Sequence, residues 1–351
     1  MCRAKNLPIT RHGGSFGHNL MAAIKRILVI RLSSIGDIIL TTPLLRSLAA
    51  SYPEAVIDYC TKPPFISLLA SNPHLSTIYT TDQQPAGRYD LVVDLQNNRR
   101  SRSIVRVLHP LRTVQYRKEN WKKWLLVHLK LDLYGSYRSV VERYRDSLQE
   151  LSRSGDLQHC ELYPSSDDEA FANTYFHTSK KTLALCVGAK HFTKRYPPDK
   201  FAVILSLLLE KEPLQVLLLG GKEDASQATE LMNSLPDHCQ AMVLNLVGRC
   251  TLMQTAAILS RCDAVLCNDT GLMHMASAFG KKLFVLFGSS SKAFGFLPWQ
   301  TTYELFEVDG LGCKPCSHIG RDRCPKGHFR CMNDLSLSLI AGRLEQYLKS
   351  F

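Results

Sequence analysis

One feature limits the folds open to this chain more than any other. Short runs of Val, Ile and Leu end in a tight turn and lead into a helix-like segment, and the pattern occurs in two separate blocks. The first block contains "KRILVIRL", "AVIDYCT", "LSTIYTTD" and "YDLVVDLQ"; the second contains "TLALCVGA", "LQVLLLGG", "DAVLCND" and "KLFVLFGSS". Continuous apolar runs of this length read as strands buried on both faces, and their alternation with helices predicts parallel sheets. "GDIILTTPLLRSLAASYP" reads as one helix ended by Pro53, "YPPDKFAVILSLLLEK" as a helix with prolines in its first turn, and "TLMQTAAILSRC" and "TGLMHMASAFG" as two more. Arg- and Lys-rich helices fill residues 100–150, and "LSLSLIAGRLEQYLKSF" reads as a terminal helix. The Ser-, Asp-, Gly- and Pro-rich stretch 152–170 breaks the rhythm and marks a linker. The expected organisation is an extension over 1–23, a first doubly wound domain over 24–165, a second over 166–335, and a closing helix over 336–351.

Composition narrows the class. The chain has 351 residues, 45% of them hydrophobic, enough for two cores, and no apolar run approaches membrane-spanning length. Its net charge is +12. That suits nucleic acid, an anionic membrane or a phosphate-rich substrate, and equally suits solubility alone. Of the 12 cysteines, several stand singly in apolar runs, as Cys186 and Cys267 do, which is the pattern of reduced core thiols and favours the cytoplasm. The basic stretch 1–20 lacks the apolar core of a secretory signal and reads as disordered, with Met21 as the natural start of the folded chain.

In open parallel sheets ligands bind beyond the carboxyl ends of the strands, which directs attention to four turns: 32–37, 94–102, 188–195 and 268–274. In "CNDTGLMHMA" a helix begins near Thr270 or Gly271. Its free N–H groups suit a diphosphate, with His274 one turn on, although Asp269 or Thr270 would serve as an ordinary helix cap. "GAKHFTKRYP" offers Lys190, His191, Lys194 and Arg195 to a departing diphosphate, or is simply a solvated basic loop. In "GGKEDA", Glu223 or Asp224 could accept from ribose hydroxyls. "RLSSIGDI" has one glycine where a dinucleotide fingerprint needs three, which argues against a nicotinamide or flavin enzyme. Its Asp37 is either a favourable charge at a helix start or a general base. "DLQNNRRSRS" places Arg99, Arg100 and Arg102 where a phosphate- or carboxylate-bearing acceptor would fit, or forms a merely solvated helix start. Cys313, Cys316, Cys324 and Cys331 have the spacing C-x2-C-x7-C-x6-C, which allows a structural zinc but is not a standard ribbon.

"KRILVIRLSSIGDIILTTPLLRSL" and "NDTGLMHMASAFGKKLFVLFGSSS", with "KRYP" and "DLQNNRRS" between them, resemble the ADP-heptose:lipopolysaccharide heptosyltransferases of glycosyltransferase family 9 over residues 24–348. The resemblance implies a GT-B-type α/β fold, two Rossmann-like doubly wound domains facing across a cleft. It implies inverting transfer of heptose from ADP-heptose to the inner core of lipopolysaccharide, with no catalytic metal or other cofactor. Residue by residue, it implies Asp37 as base and Lys194 on the donor phosphates. Asp269, Thr270, Gly271 and His274 would lie at the ADP-sugar, with Glu223 or Asp224 near the ribose. Ser34, Gly36, Asn97, Arg99 and Arg100 form the expected acceptor side. The expected partners are the ADP-sugar donor and a lipid A-linked core acceptor, with peripheral contact at the cytoplasmic face of the anionic inner membrane and no nucleic acid. Rival readings are transfer of another nucleotide-linked sugar, a nucleotide-sugar epimerase or hydrolase, and a non-catalytic nucleic-acid-binding protein. The last lacks an aromatic RNA-binding strand, a helix-turn-helix and a matched zinc-finger spacing.

Overall fold

The structure, a computed structural model, describes residues 24–148, 151, 158–176 and 180–350. The expectations for residues 1–23, and for 152–157 of the linker, lie outside the described residues.

Two parallel sheets form, one in each block. The first has five strands, β1 (Arg26–Ile30), β2 (Val56–Thr61), β3 (Thr77–Thr80), β4 (Leu91–Asp94) and β5 (Arg112–Gln115), in the order β3-β2-β1-β4-β5. The second has six, β6 (Lys181–Cys186), β7 (Leu214–Leu219), β8 (Val243–Asn245), β9 (Ala264–Asn268), β10 (Lys282–Leu286) and β11 (Tyr303–Phe306), in the order β11-β10-β9-β6-β7-β8. The central strands are sealed on both faces: Ile27 to Ile30 and Leu283 to Leu286 are all fully buried. That burial is why their sequences run apolar without alternation. The chain walks to one side of each sheet and then returns to the other. The reversal falls between β1 and β4 in the first sheet and between β6 and β9 in the second. The four turns singled out by sequence follow these four strands, so all lie at topological switch points.

Two sequence expectations change. The single helix expected after β1 is two, Ile35–Ile39 and Thr42–Ser51. Thr41 and Thr42 turn their hydroxyls onto the carbonyls of Ile38 and Ile39 (2.7 and 2.8 Å), and Pro43, in the first turn of the second helix, has no N–H to continue the first. The linker stretch carries a helix of its own, Ser166–Asn173, which Ser165 caps and which packs on the helix Leu252–Arg261. The terminal helix Leu337–Lys349 packs on Pro198–Leu209 of the second block. Among the described residues no helix is long and apolar enough to cross a membrane.

The two blocks meet directly. Val140 N–H donates to Gly295 O (2.9 Å) and Arg143 donates to Ala293 O (2.8 Å). The short helix Ile35–Ile39 packs against the helix Gly271–Ala278.

Candidate active site

Asp37 sits in the first turn of the helix after β1 and is held from three directions. Ser34 donates to its Oδ2 from N–H (3.0 Å) and Oγ–H (2.8 Å), and Arg31 meets its Oδ1 at 2.5 Å. Arg31 is itself fixed, donating to Ser33 O (2.9 Å) and to Leu95 O at the end of β4 (2.8 Å). Burial alone would push the Asp37 carboxyl up. The Arg31 charge and the two Ser34 bonds outweigh it and hold the pKa below the usual carboxylate range. Asp37 is therefore ionised at neutral pH and aimed by a buried cation.

The second switch point is built differently. Thr270 occupies the N-cap of Gly271–Ala278, and no side chain caps that helix. The ordinary capping role considered for Asp269 and Thr270 is thus not taken up, and the first-turn N–H groups keep their partial positive charge for another partner. Asp269, 6% exposed, is instead engaged with Lys194, whose Nζ lies 2.7 Å from its Oδ2. Asn268 locks the two loops together. Its side chain donates to Val187 O (3.0 Å) and accepts from Tyr196 N–H (3.1 Å), fixing the lysine loop against the end of β9.

Gly36 and Gly271 bring these two turns into contact. A Cβ at Gly36 would stand 2.4 Å from His274 Cδ2, and one at Gly271 2.9 Å from Ile35 Cβ. Each glycine is thus required by a side chain of the opposite block. His274 is 4% exposed and its Nδ1 has no hydrogen-bond partner among the described residues. Burial lowers its pKa to about 4, against the raising effect of Asp269 and Asp37, so the ring is neutral at pH 7.

The remaining expected residues separate into engaged and open groups. Asn97, in the left-handed region (φ 38°), spends its side chain on the fold, donating to Tyr116 O (2.8 Å) and accepting from Arg102 (2.9 Å). Arg99 and Arg100 are exposed in the first turn of the helix Arg99–Leu108, which carries no acid there. Cations at that end oppose the helix dipole; Arg100 has Asp82 within 3.7 Å. In the lysine loop Arg195 donates to Ala189 O (2.6 Å), and His191 lies 3.5 Å from Asp322. Asp224 is buried and accepts from Gly221 N–H (2.9 Å), whereas Glu223 on the same turn is exposed.

Sequence reasoning missed Arg31, Lys118, Lys123 and His318. The first stands six residues before Asp37, and its proximity was the available signal. Burial lowers the pKa of Lys123 to about 8, helped by the nearby charges of Arg143 and Lys118, and Asp37 pulls it back up. Burial, followed by Arg31, lowers Lys118, which Asp94 and Asp37 raise in turn. His318 is lowered by burial and by the charges of Lys123 and Lys194, one from each block. Lys118 and Lys123 thus share the electrostatic field of Asp37 and Arg31.

Cys313, Cys316, Cys324 and Cys331 gather with His328 around one small pocket. Cys313 Sγ and His328 Nε2 are 4.0 Å apart. Among the described residues no group of three or more His, Cys, Asp or Glu side chains is arranged to hold a metal ion, so the zinc expectation finds no supporting geometry. Burial pushes the Cys331 thiol up to about 11.

Two doubly wound domains whose switch points meet form the arrangement of a GT-B-type glycosyltransferase. The chain belongs to glycosyltransferase family 9 (heptosyltransferase), whose family model matches residues 83–325. It is 26% identical to lipooligosaccharide heptosyltransferase 2 of Haemophilus ducreyi, over 92% of this chain and 99% of that protein. In fold it is similar to the family 9 glycosyl transferase of Veillonella parvula (TM-score 0.74, 20% identity, 93% of this chain and 98% of that one). It is also similar to E. coli ADP-heptose lps heptosyltransferase II (TM-score 0.72, 23% identity, 93% and 99%).

Proposed function

We propose that the protein moves heptose from ADP-heptose to a hydroxyl of the lipopolysaccharide inner core, with inversion at the anomeric carbon and without a catalytic metal. The observation that carries the reading is the contact between the two helix starts, which sets Asp37 beside the Thr270–Lys194 side through Gly36 and His274. The names of the relatives, heptosyltransferases acting on lipopolysaccharide or lipooligosaccharide, supply the sugar and the acceptor class.

In this reading the Asp37 carboxylate takes the proton of the acceptor hydroxyl as its oxygen attacks the anomeric carbon. The bond from that carbon to the β-phosphate oxygen breaks, and its electron pair leaves with ADP. Lys194 and the open N–H groups after Thr270 meet the charge that develops on the leaving diphosphate. Asp269 positions Lys194 rather than facing the phosphates, where its charge would repel them. Glu223, the exposed member of its pair, is placed to accept from the ribose. Arg99, Arg100 and the cations near Asp37 suit an acceptor bearing phosphate or carboxylate groups. An acceptor anchored in lipid places the enzyme at the cytoplasmic face of the inner membrane.

Calorimetric titration with ADP, ADP-heptose and NAD tests the donor side. Saturable binding of ADP and ADP-heptose, weakened in Asp269→Ala and absent for NAD, is the expected result. Folded protein that binds neither ADP nor its sugar overturns the donor assignment.

A further inference from the structure

The segment from the helix Arg99–Leu108 to residue 138 surrounds β5, the outermost strand of the first sheet. It holds eleven Lys and Arg against two acids, Glu119 and Asp132, so a net +9 of the chain's +12 is concentrated in forty residues. The same segment exposes large apolar side chains. Trp121 (57%), Trp124 (54%), Leu129 (54%), Leu131 (51%) and Leu133 (49%) are each about half open to solvent within thirteen residues. Val107 and Leu111 are more exposed still. Scattered apolar residues on a surface need no explanation, but a contiguous run rimmed by charge marks an interaction site.

The helix Asn120–Leu129 shows how this surface is held. On its inner side Leu126 is buried and Lys122 pairs with Glu119 at 2.5 Å. Just past its end Lys130 donates to Pro315 O (2.7 Å) and Cys313 O (3.2 Å) of the second block. Trp121 and Trp124, three residues apart, share the other side, and the Trp124 ring stacks on His128 at 5.0 Å between centroids. The protein therefore fixes the helix by one side and leaves two indoles and a leucine-rich tail facing water.

We propose that this β5 edge is a docking surface for an anionic lipid bilayer, with Trp121, Trp124 and the following leucines entering the headgroup region and the exposed Arg106, Arg112 and Arg117 meeting lipid phosphates. Aromatic rings at the polar–apolar boundary with cations beside them are the composition that favours interfacial binding without a spanning helix. Each cation near an anionic leaflet adds to the attraction, which salt screens. A second copy of the chain is disfavoured as the occupant because it would set one +9 segment against another. Single-stranded nucleic acid would use the indoles and arginines but gives Leu129, Leu131 and Leu133 no role, since bases stack on rings rather than on aliphatic chains. The inference draws on the proposed function only for its purpose, delivery of the enzyme to a lipid-linked acceptor; the surface itself stands on exposure and charge.

The test is co-sedimentation of the full chain with phosphatidylcholine vesicles, with and without phosphatidylglycerol. Brominated acyl chains serve as quenchers of indole fluorescence. Binding to the anionic vesicles, quenching, and weakening by salt are expected. Trp121→Ala with Trp124→Ala should lower partitioning roughly tenfold, and Arg106→Glu should reduce the preference for anionic vesicles. Undiminished sedimentation of the double tryptophan variant overturns the proposal. So does a change in oligomeric mass without a change in vesicle binding, or loss of RNA retention with vesicle binding intact. ADP titration run in parallel separates the two ideas. ADP binding without vesicle binding removes the surface and leaves the transferase reading; vesicle binding without ADP binding does the reverse.

Discussion

The two helix starts at the centre of the molecule are made of similar parts and used in opposite ways. After β1, the helix Ile35–Ile39 closes on itself: Asp37 accepts from Ser34 and pairs with Arg31, so the positive end of the helix is already occupied by the chain's own carboxylate. After β9, the helix Gly271–Ala278 has an acid just before it, yet Asp269 turns away to Lys194 and the N-terminus is left uncapped. Sequence position alone would assign both acids to capping. The difference lies in which cation each acid finds. Arg31 holds Asp37 ionised and oriented, as the proposed base requires, whereas Lys194 engages Asp269 and leaves the start of its helix open.

The comparison breaks most visibly if Asp37 is not the base. Asp37→Asn should lower turnover about 10²–10⁴-fold while leaving ADP affinity unchanged, read by steady-state transfer beside calorimetry. Because Arg31 and Ser34 hold the Asp37 pKa below the carboxylate norm, the acid limb of the activity profile should also fall below that norm. A limb near neutral pH would assign the proton transfer elsewhere. Lys194→Gln tests the other half. It should cost about 10²–10³-fold in turnover, the range for losing one preorganised donor to developing charge. ADP binding should weaken as well, and normal turnover would remove the lysine from the reaction.

Smaller effects sharpen the picture of how the halves meet. Gly36→Ala drives a methyl group toward a buried ring, and a destabilisation of about 1–3 kcal/mol is expected by denaturant titration. His274→Ala in the same chain should recover part of that loss, since it removes the clash. The pH dependence of stability gives the mildest signature. The unfolded chain protonates this histidine below its ordinary pKa of 6.5, but the folded chain does so only near 4. Stability from this source is therefore full above that range and drains away as pH falls from 6.5 toward 4. The melting temperature of His274→Asn should change less across that window than that of the parent, and parallel curves would deny the histidine its buried neutral state.

Much of this was legible from the chain alone, for a local reason. The central strands are apolar because both faces are covered, and the residues after them define the turns, so β1, β4, β6 and β9 with their switch-point residues could be read directly. Three of the four edge strands gave no such signal. β5 has the burial of a surface segment, and β8 and β11 are short and half covered, so each passed for loop or helix. The groups near the two turns were hidden because they converge from separate places: Lys118 and Lys123 follow β5, and His318, beside Lys123 and Lys194, comes from beyond β11. Nor does local pattern reveal that the Asn97 side chain donates to Tyr116 O, nineteen residues on. Capping for Asp269 looked adequate until Lys194, seventy-five residues away, proved to be its partner.

The fit between Gly36 and His274 leaves no slack, and Gly36 is the neighbour of the proposed base, Asp37. A joint in that position would work as a fulcrum. If the two domains rock about it, their outer rims swing widely while the separation of Asp37 from the Thr270 turn scarcely changes. Substrates could then enter and leave by motion at the rims, with the reacting distance set once by a missing methyl group. Spin-label distances across the rims, measured with and without ADP, would report that motion, and rims that stay fixed on binding would deny the joint its role as a pivot.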